Sequence, residues 1–214
     1  MTGQDLVRIV AGAATLEGAL ALPATPIGMV LFAHGSGSSR HSPRNNYVAA
    51  RLREAGIGTL LLDLLSVDED SVLDTRFDIG LLTERLALAA AWLGTEPRTA
   101  PLALGLFGAS TGAAAALQLA ARAGSGIAAV VSRGGRPDLA GPQALGAVMA
   151  PTLLIVGGDD GPVLELNRQA LAALRCDKRL LVVPGASHLF EEPGKLEEVA
   201  EAAGAWFVQH LAPP

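Results

Sequence analysis

The sequence predicts an α/β fold in which a mostly parallel sheet is covered by helices on both faces. Apolar runs of strand length alternate with longer segments whose apolar residues recur at helical spacing, a pattern typical of parallel sheets. The strand-length runs lack polar alternation, as expected of strands buried on both faces. The 214 residues suffice for one α/β domain with a substantial core, so we expect 1–214 to be a single domain.

Each element follows from its local pattern. An antiparallel opening pair is expected at 7–10 and 16–22. Further strands are expected at apolar runs bounded by Gly, Pro or polar residues, namely 27–33, 58–63, 102–107, 127–131, 152–156 and 179–183. Helices are expected at 46–55, 79–93, 111–123, 163–174 and 196–211. The connection after the strand at 127–131 is short and irregular, which leaves little room for a lid.

Composition argues against several classes of function. The net charge is −5 and the basic residues are scattered, which disfavours binding to nucleic acid or to an anionic membrane. The mean hydropathy of +0.38 is high, but the longest apolar region, 102–121, is better explained as strand, turn and helix than as a membrane span. The single cysteine, Cys176, and an N-terminus without signal-peptide features indicate a cytoplasmic location.

A Gly-Ala-Ser-Thr-Gly pattern at 108–112 separates a predicted buried strand from a predicted helix. A serine between small residues at such a junction is typical of the nucleophile elbow of α/β-hydrolases. Glycine at the flanking positions avoids collisions with the strand and helix, and it permits unusual backbone angles. The pattern therefore predicts an α/β-hydrolase fold with Ser110 as the nucleophile.

A serine hydroxyl needs a base to remove its proton, and that base needs an orienting acid. In this fold the base is a histidine that follows both the serine and the acid in the chain. Two histidines follow Ser110. His188 comes directly after the last predicted strand and can fold back over the serine, whereas His210 lies on the last predicted helix. We therefore expect His188 to be the base.

The acid should follow the strand at 152–156, where Asp159 and Asp160 are adjacent. In similar hydrolases a glycine at the end of this strand precedes the acid by three residues, and counting from Gly157 favours Asp160. Asp159 would then shape the turn. Adjacent carboxylates also suggest a metal site, but no nearby residues complete a ligand set, so no metal is expected.

The oxyanion of the reaction needs two backbone N–H groups as donors. Thr111, directly after the nucleophile, should supply one, and Ser36, in the loop after the strand at 27–33, should supply the other. His34 precedes Ser110 in the chain and is expected to organise this loop. The loop also resembles a phosphate cradle, but it lacks the Gly-Lys-Ser/Thr ending of a P-loop, so no nucleotide cofactor is expected.

Two pairs of arginines should lie at the carboxyl edge of the sheet, where ligands bind. Arg40 and Arg44 follow the predicted oxyanion loop, and Arg133 and Arg136 follow the strand at 127–131. A guanidinium group pairs well with a carboxylate, so Arg40 and Arg133 are candidate substrate ligands. Surface ion pairs or loop anchoring are the alternative roles for these side chains.

In three segments, 32–45, 108–112 and 185–194, the sequence resembles that of dienelactone hydrolase-like α/β-hydrolases. The resemblance is particularly to the small hydrolase domains that also occur fused to phosphoribosyltransferase-like domains. The resemblance implies a Ser-Asp-His hydrolase of small carboxylic esters that uses no cofactor. Dienelactone hydrolases proper carry cysteine as nucleophile, so Ser110 favours a more general esterase.

Two alternatives to the esterase stay open. A lactonase or thioesterase would use the same catalytic groups. A non-catalytic module that binds a ligand or partner on the same fold is the alternative from another class of function.

Overall fold

The computed structural model describes residues 4–212. Within them the strands are β1 Asp5–Ala11, β2 Ala14–Ala21, β3 Gly28–Ala33, β4 Ile57–Leu62, β5 Leu104–Ala109, β6 Ile127–Arg133, β7 Thr152–Gly157 and β8 Lys178–Val183. They form an eight-stranded sheet in the order β1-β2-β4-β3-β5-β6-β7-β8. β2 pairs antiparallel with β1 and β4, and all other neighbours are parallel. The predicted mostly parallel sheet is confirmed.

The helices fall into those that the sequence pattern predicted and those that it missed. The predicted helices are α1 Pro43–Glu54, α4 Ile79–Leu93, α5 Thr111–Ala120, α7 Gly161–Ala173 and α8 Lys195–Leu211. Three short helices were missed: α2 Val67–Asp70, α3 Leu73–Arg76 and α6 Pro142–Ala147. No helix within residues 4–212 combines the length and the apolar character needed to cross a bilayer.

The missed helix α2 has a readable start signal. The Ser66 side chain accepts from the Glu69 N–H, and the Glu69 carboxylate accepts from the Ser66 N–H. This reciprocal capping box is encoded as Ser-x-x-Glu, so a search for helix starts would have found α2 despite its lack of apolar periodicity.

The core lies on both faces of the sheet, as predicted. Leu86 of α4 and Ala115 of α5 pack in the cluster on one face. Leu52 of α1 and Phe207 of α8 belong to the cluster on the other face. Strands β3, β4 and β7 are buried along their whole length, which explains their lack of polar alternation.

The connection between β6 and β7 holds only a 3₁₀ turn, Pro137–Ala140, and α6. No lid domain is inserted in this part of the described chain. This connection lies at the carboxyl edge of the sheet, where β3, β5, β6 and β7 end.

Candidate active site

Ser110 occupies the sharp turn that joins β5 to α5. Its φ of 51° and ψ of −120° are unusual for a residue with a side chain, and such strain is concentrated at functional sites. A Cβ at Gly108 would lie 2.4 Å from the Ala113 Cα, and one at Gly112 would lie 2.3 Å from the Ala33 carbonyl oxygen. The predicted steric need for glycine on both sides of the elbow is therefore confirmed.

His188 contacts Asp160 rather than Asp159. The distance between His188 Nδ1 and Asp160 Oδ2 is 2.6 Å. Because a carboxylate accepts, Nδ1 carries the proton, and Nε2 is left free to act as an acceptor. The Asp160 side chain is only 13% exposed, whereas Asp159 is exposed and its N–H donates to the Ala186 carbonyl.

Ser110 and His188 line the same cavity, which has a volume of about 190 Å³. Ser36, Arg44 and Arg133 also line it. Among the hydrogen bonds of residues 4–212, none joins the Ser110 hydroxyl to the His188 ring, which is common in enzymes without substrate. No cluster of three or more His, Cys, Asp or Glu side chains suited to a metal ion occurs in the same range.

The end of β6 and the residues that follow it contact both the serine and the histidine. The Ser110 N–H donates to the Arg133 carbonyl, and the Arg136 N–H donates to the Ser110 carbonyl. Gly134 has a φ of +51°, and a Cβ there would lie 3.2 Å from the His188 carbonyl oxygen. The sequence interpretation gave Gly134 no role, although a Gly-Gly pair at a strand end is a recognisable signal of close packing.

The predicted oxyanion donors lie side by side, but one of them already has an acceptor. The Ser36 N–H donates to the Thr111 Oγ1 at 3.0 Å. The Thr111 N–H has no acceptor within residues 4–212. The Ser36 amide thus lies beside the elbow, where it is hydrogen-bonded to the side chain of Thr111, the other predicted donor.

His34 organises this loop, as the sequence suggested. Its Nδ1 donates to the Gly35 carbonyl at 2.9 Å, and its Nε2 accepts from the Leu64 N–H at 3.0 Å. Burial lowers the pKa of His34, so the ring stays neutral and keeps one tautomer. The imidazole therefore joins the end of β3 to the segment after β4.

Arg40 does not reach the Ser110 cavity, which contradicts its predicted place among the substrate ligands. Its Nη1 pairs with Asp63, and its Nη2 donates to Glu17 at 2.7 Å. The side chain lines a separate cleft of about 510 Å³, which is larger than the Ser110 cavity. Because carboxylates occupy both ends of the guanidinium group, Arg40 anchors its loop instead of facing the Ser110 cavity.

Arg133 lies in the cavity with unsatisfied donors. The residue is 7% exposed, and its Nε and Nη1 have no hydrogen-bond partner within residues 4–212. Burial, followed by the charge of Arg44, lowers the pKa of Arg133 to about 10, so the group is still cationic at neutral pH. Arg44 itself donates to the exposed Glu191 at 2.8 Å.

Comparison with solved structures places the chain in a family. The crystal structure of dienelactone hydrolase from Anabaena variabilis is 54% identical, with a TM-score of 0.94 over 98% of this chain and 99% of that chain. The chain belongs to the dienelactone hydrolase family. An α/β serine hydrolase without lid from Xanthomonas campestris is 25% identical, with a TM-score of 0.80 over 100% and 98% of the two chains. This member of the dienelactone hydrolase family is therefore an α/β-hydrolase, and the resemblance noted from the sequence is confirmed.

Curated relatives carry a different name. Two provisionally named phosphoribosyl transferases of Mycobacterium tuberculosis, from strains CDC 1551 and ATCC 25618, are 57% identical over 208 residues. The match covers 97% of this chain and 47% of each relative, so the chain spans about half the length of these proteins. No family model matches the chain. The one-domain organisation of 1–214 stays a prediction.

Proposed function

We propose that this dienelactone hydrolase-family protein is a serine hydrolase of small carboxylic esters. The main support is the 2.6 Å distance between His188 Nδ1 and Asp160 Oδ2. His188 lines the same cavity as Ser110, whose backbone is strained. A histidine oriented by an acid, in the same cavity as a half-buried serine at an elbow, is the arrangement that nucleophilic acyl transfer needs.

The proposed reaction has two stages. Ser110 Oγ attacks the ester carbonyl while His188 Nε2 takes the hydroxyl proton, and the Asp160 carboxylate stabilises the imidazolium that forms. The carbonyl electrons move onto oxygen, where the N–H groups of Ser36 and Thr111 hold the negative charge. The tetrahedral intermediate then expels the alcohol, which receives the proton from His188. Water, activated by the same histidine, hydrolyses the acyl-enzyme.

The size of the cavity supports a small substrate. A volume of about 190 Å³ lies below the range of roughly 300–1,000 Å³ that drug-sized ligands occupy. The connection between β6 and β7 adds no lid domain that would extend an apolar surface over the site. Short acyl groups therefore fit the cavity better than fatty acyl chains.

A series of p-nitrophenyl esters tests the proposed function. We expect acetate and butyrate to be hydrolysed with kcat/KM at least about tenfold above that for palmitate, because a long chain finds no enclosed apolar pocket. Lactones and thioesters of similar size, assayed alongside, rank the activities that share the same catalytic groups. Failure of the folded protein to turn over any of them would favour a non-catalytic binding module.

We further propose that Arg133 binds an anionic group of the substrate. A buried cation without a counter-charge is costly, and a substrate carboxylate would remove that cost through charge-assisted hydrogen bonds. Arg44 lies close enough to lower the pKa of Arg133, and it lines the same cavity. Glu191, the partner of Arg44, is on the exposed side of this pair. The cavity is thus lined both by the cationic side chains of Arg44 and Arg133 and by the proposed nucleophile, Ser110.

Replacing Arg133 with methionine should lower kcat/KM for 4-nitrophenyl hydrogen succinate by about tenfold to a hundredfold, since hydrogen bonds to charged groups contribute about 1.5–3 kcal/mol. The neutral 4-nitrophenyl butyrate should change by less than about threefold in the same assay. Arg40→Met serves as the matched control and should leave the ratio of the two substrates unaltered. An equal loss on both substrates in Arg133→Met would contradict the proposed anion site.

The proposal extends to partners and location. A small-molecule ester is the proposed partner, rather than nucleic acid or a membrane, and the net charge of −5 supports this. A cytoplasmic location is part of the same proposal, supported by the presence of one cysteine in the sequence. Subcellular fractionation of the source cells tests it.

A further inference from the structure

One hydrogen bond joins the predicted oxyanion loop to the start of α5. The Ser36 N–H donates to the Thr111 Oγ1 at 3.0 Å, across 75 positions of sequence. Thr111 is only 2% exposed, whereas Ser36 is exposed. The acceptor is thus a fixed, buried hydroxyl, and the donor is an amide in a surface loop.

The hydrogen bond to Thr111 holds the Ser36 peptide itself, within a loop whose start is organised by His34. Ser36 stands between Gly35 and Gly37, and Gly37 adopts a left-handed φ of +68°. The Ser38 N–H and the His34 Nδ1 both donate to the Gly35 carbonyl, so the His34 ring holds the start of this turn but makes no bond to the Ser36 peptide N–H. Glycine on both sides gives the Ser36 peptide more conformational freedom than any other residue type would.

The elbow lies directly against this loop. A Cβ at Gly35 would be 3.0 Å from the Ser110 Cβ. Since Thr111 follows Ser110 in the chain, its hydroxyl and its own N–H are on the same residue as one of the two proposed oxyanion donors. A hydroxyl at this place holds the second donor, the Ser36 N–H, next to the first.

We propose that Thr111 is a positioning residue whose hydroxyl orients the Ser36 amide for the developing oxyanion. This inference rests on the proposed function and assigns to the Thr111 side chain a part in it that is separate from its backbone N–H. In the free enzyme the hydroxyl accepts from the Ser36 N–H and fixes the loop. When negative charge develops on the substrate oxygen, that stronger acceptor takes the N–H, because charge-assisted hydrogen bonds exceed neutral ones in strength. The amide therefore enters the reaction already aligned.

Thr111→Val, which keeps the shape and removes the hydroxyl, tests the proposal with p-nitrophenyl acetate. Loss of one oxyanion donor outright costs about 10²–10³-fold in kcat, so a donor that is present but poorly held should cost about tenfold, with KM changed by less than about twofold. Thr111→Ala should show the same loss and serves if the valine variant does not fold. Thr111→Ser restores the hydroxyl and should return kcat to within about threefold of wild type.

Thr99→Val is the matched control, because Thr99 is also 2% exposed and its hydroxyl donates to the Leu93 carbonyl away from the cavity. It should lower the melting temperature without lowering kcat. Wild-type kcat in Thr111→Val or Thr111→Ala, or a serine variant as slow as valine, would overturn the proposal. If wild-type protein fails to hydrolyse any ester, the proposed function itself fails, and the two results are thereby distinguished.

Discussion

Replacing Ser110 with alanine is expected to lower kcat for p-nitrophenyl acetate by about 10⁵-fold or more, because the nucleophile and its base act as a unit. The side chain is half-buried at an elbow whose backbone is set by glycines at 108 and 112, so alanine should preserve the fold. The measurement is steady-state hydrolysis, with the melting temperature recorded on the same samples.

A matched serine provides the control for this variant. Ser125 is also half-buried, and its hydroxyl donates to the carbonyl of Ala120, the last residue of α5, and accepts from the Ile127 N–H. Ser125→Ala should keep wild-type turnover. Substantial activity in a folded Ser110→Ala protein would remove Ser110 from the proposed mechanism.

The second large effect is expected at the acid. Asp160→Asn should lower kcat by about 10⁴-fold, because an amide at this place favours the wrong histidine tautomer while it leaves the geometry almost unchanged. The contact at stake is the 2.6 Å hydrogen bond from His188 Nδ1 to Asp160 Oδ2. Hydrolysis of p-nitrophenyl acetate at constant pH measures the effect.

The neighbouring carboxylate is the natural control. Asp159 is exposed, and within residues 4–212 its one hydrogen bond runs from its backbone N–H to the Ala186 carbonyl. Asp159→Asn should therefore change kcat by less than about threefold. A larger loss in Asp159→Asn than in Asp160→Asn would reassign the acid.

Much of the fold could be predicted because its elements have strong local signals. Buried strands such as β3 and β7 are uninterrupted apolar runs, and α4 has helical periodicity over its whole length. The helices α2 and α3 escaped prediction because they are four residues long and bury no residue, so they have no apolar period to detect. The signal of α2 is the capping box of Ser66 and Glu69, which acts over three residues, whereas Val72 at the N-cap of α3 makes no side-chain capping bond.

The sequence could predict those site residues whose position is set by the end of a strand. Ser110, Asp160 and His188 all follow strands that end at the same edge of the sheet. Their order along the chain is enough to assign the roles of nucleophile, acid and base. Arg40 and Arg133 have equivalent positions in the sequence pattern, yet Arg40 is paired with Asp63 and Glu17. Arg133 has no carboxylate partner within residues 4–212, and only its Nη2 donates, to the Asn45 Oδ1 at 3.5 Å. Side-chain pairing between distant segments decides that difference, and no local pattern encodes it.

The bond between Ser36 and Thr111 has the same character. The sequence indicated each residue as an oxyanion donor through its backbone N–H. Only the folded chain shows that the hydroxyl of one accepts from the amide of the other. Long-range contacts of this kind determine how the donors of the candidate site are oriented, and no local sequence pattern predicts them.

Covalent labelling of Ser110 tests the central claim most directly. A fluorophosphonate probe phosphonylates an activated serine, and mass spectrometry of the intact protein and its peptides locates the adduct. We expect one adduct, on the peptide that contains Ser110, and a much slower reaction in His188→Ala, where the base is missing. Folded wild-type protein that stays unlabelled, or that carries the adduct on another residue, would contradict the proposed serine hydrolase.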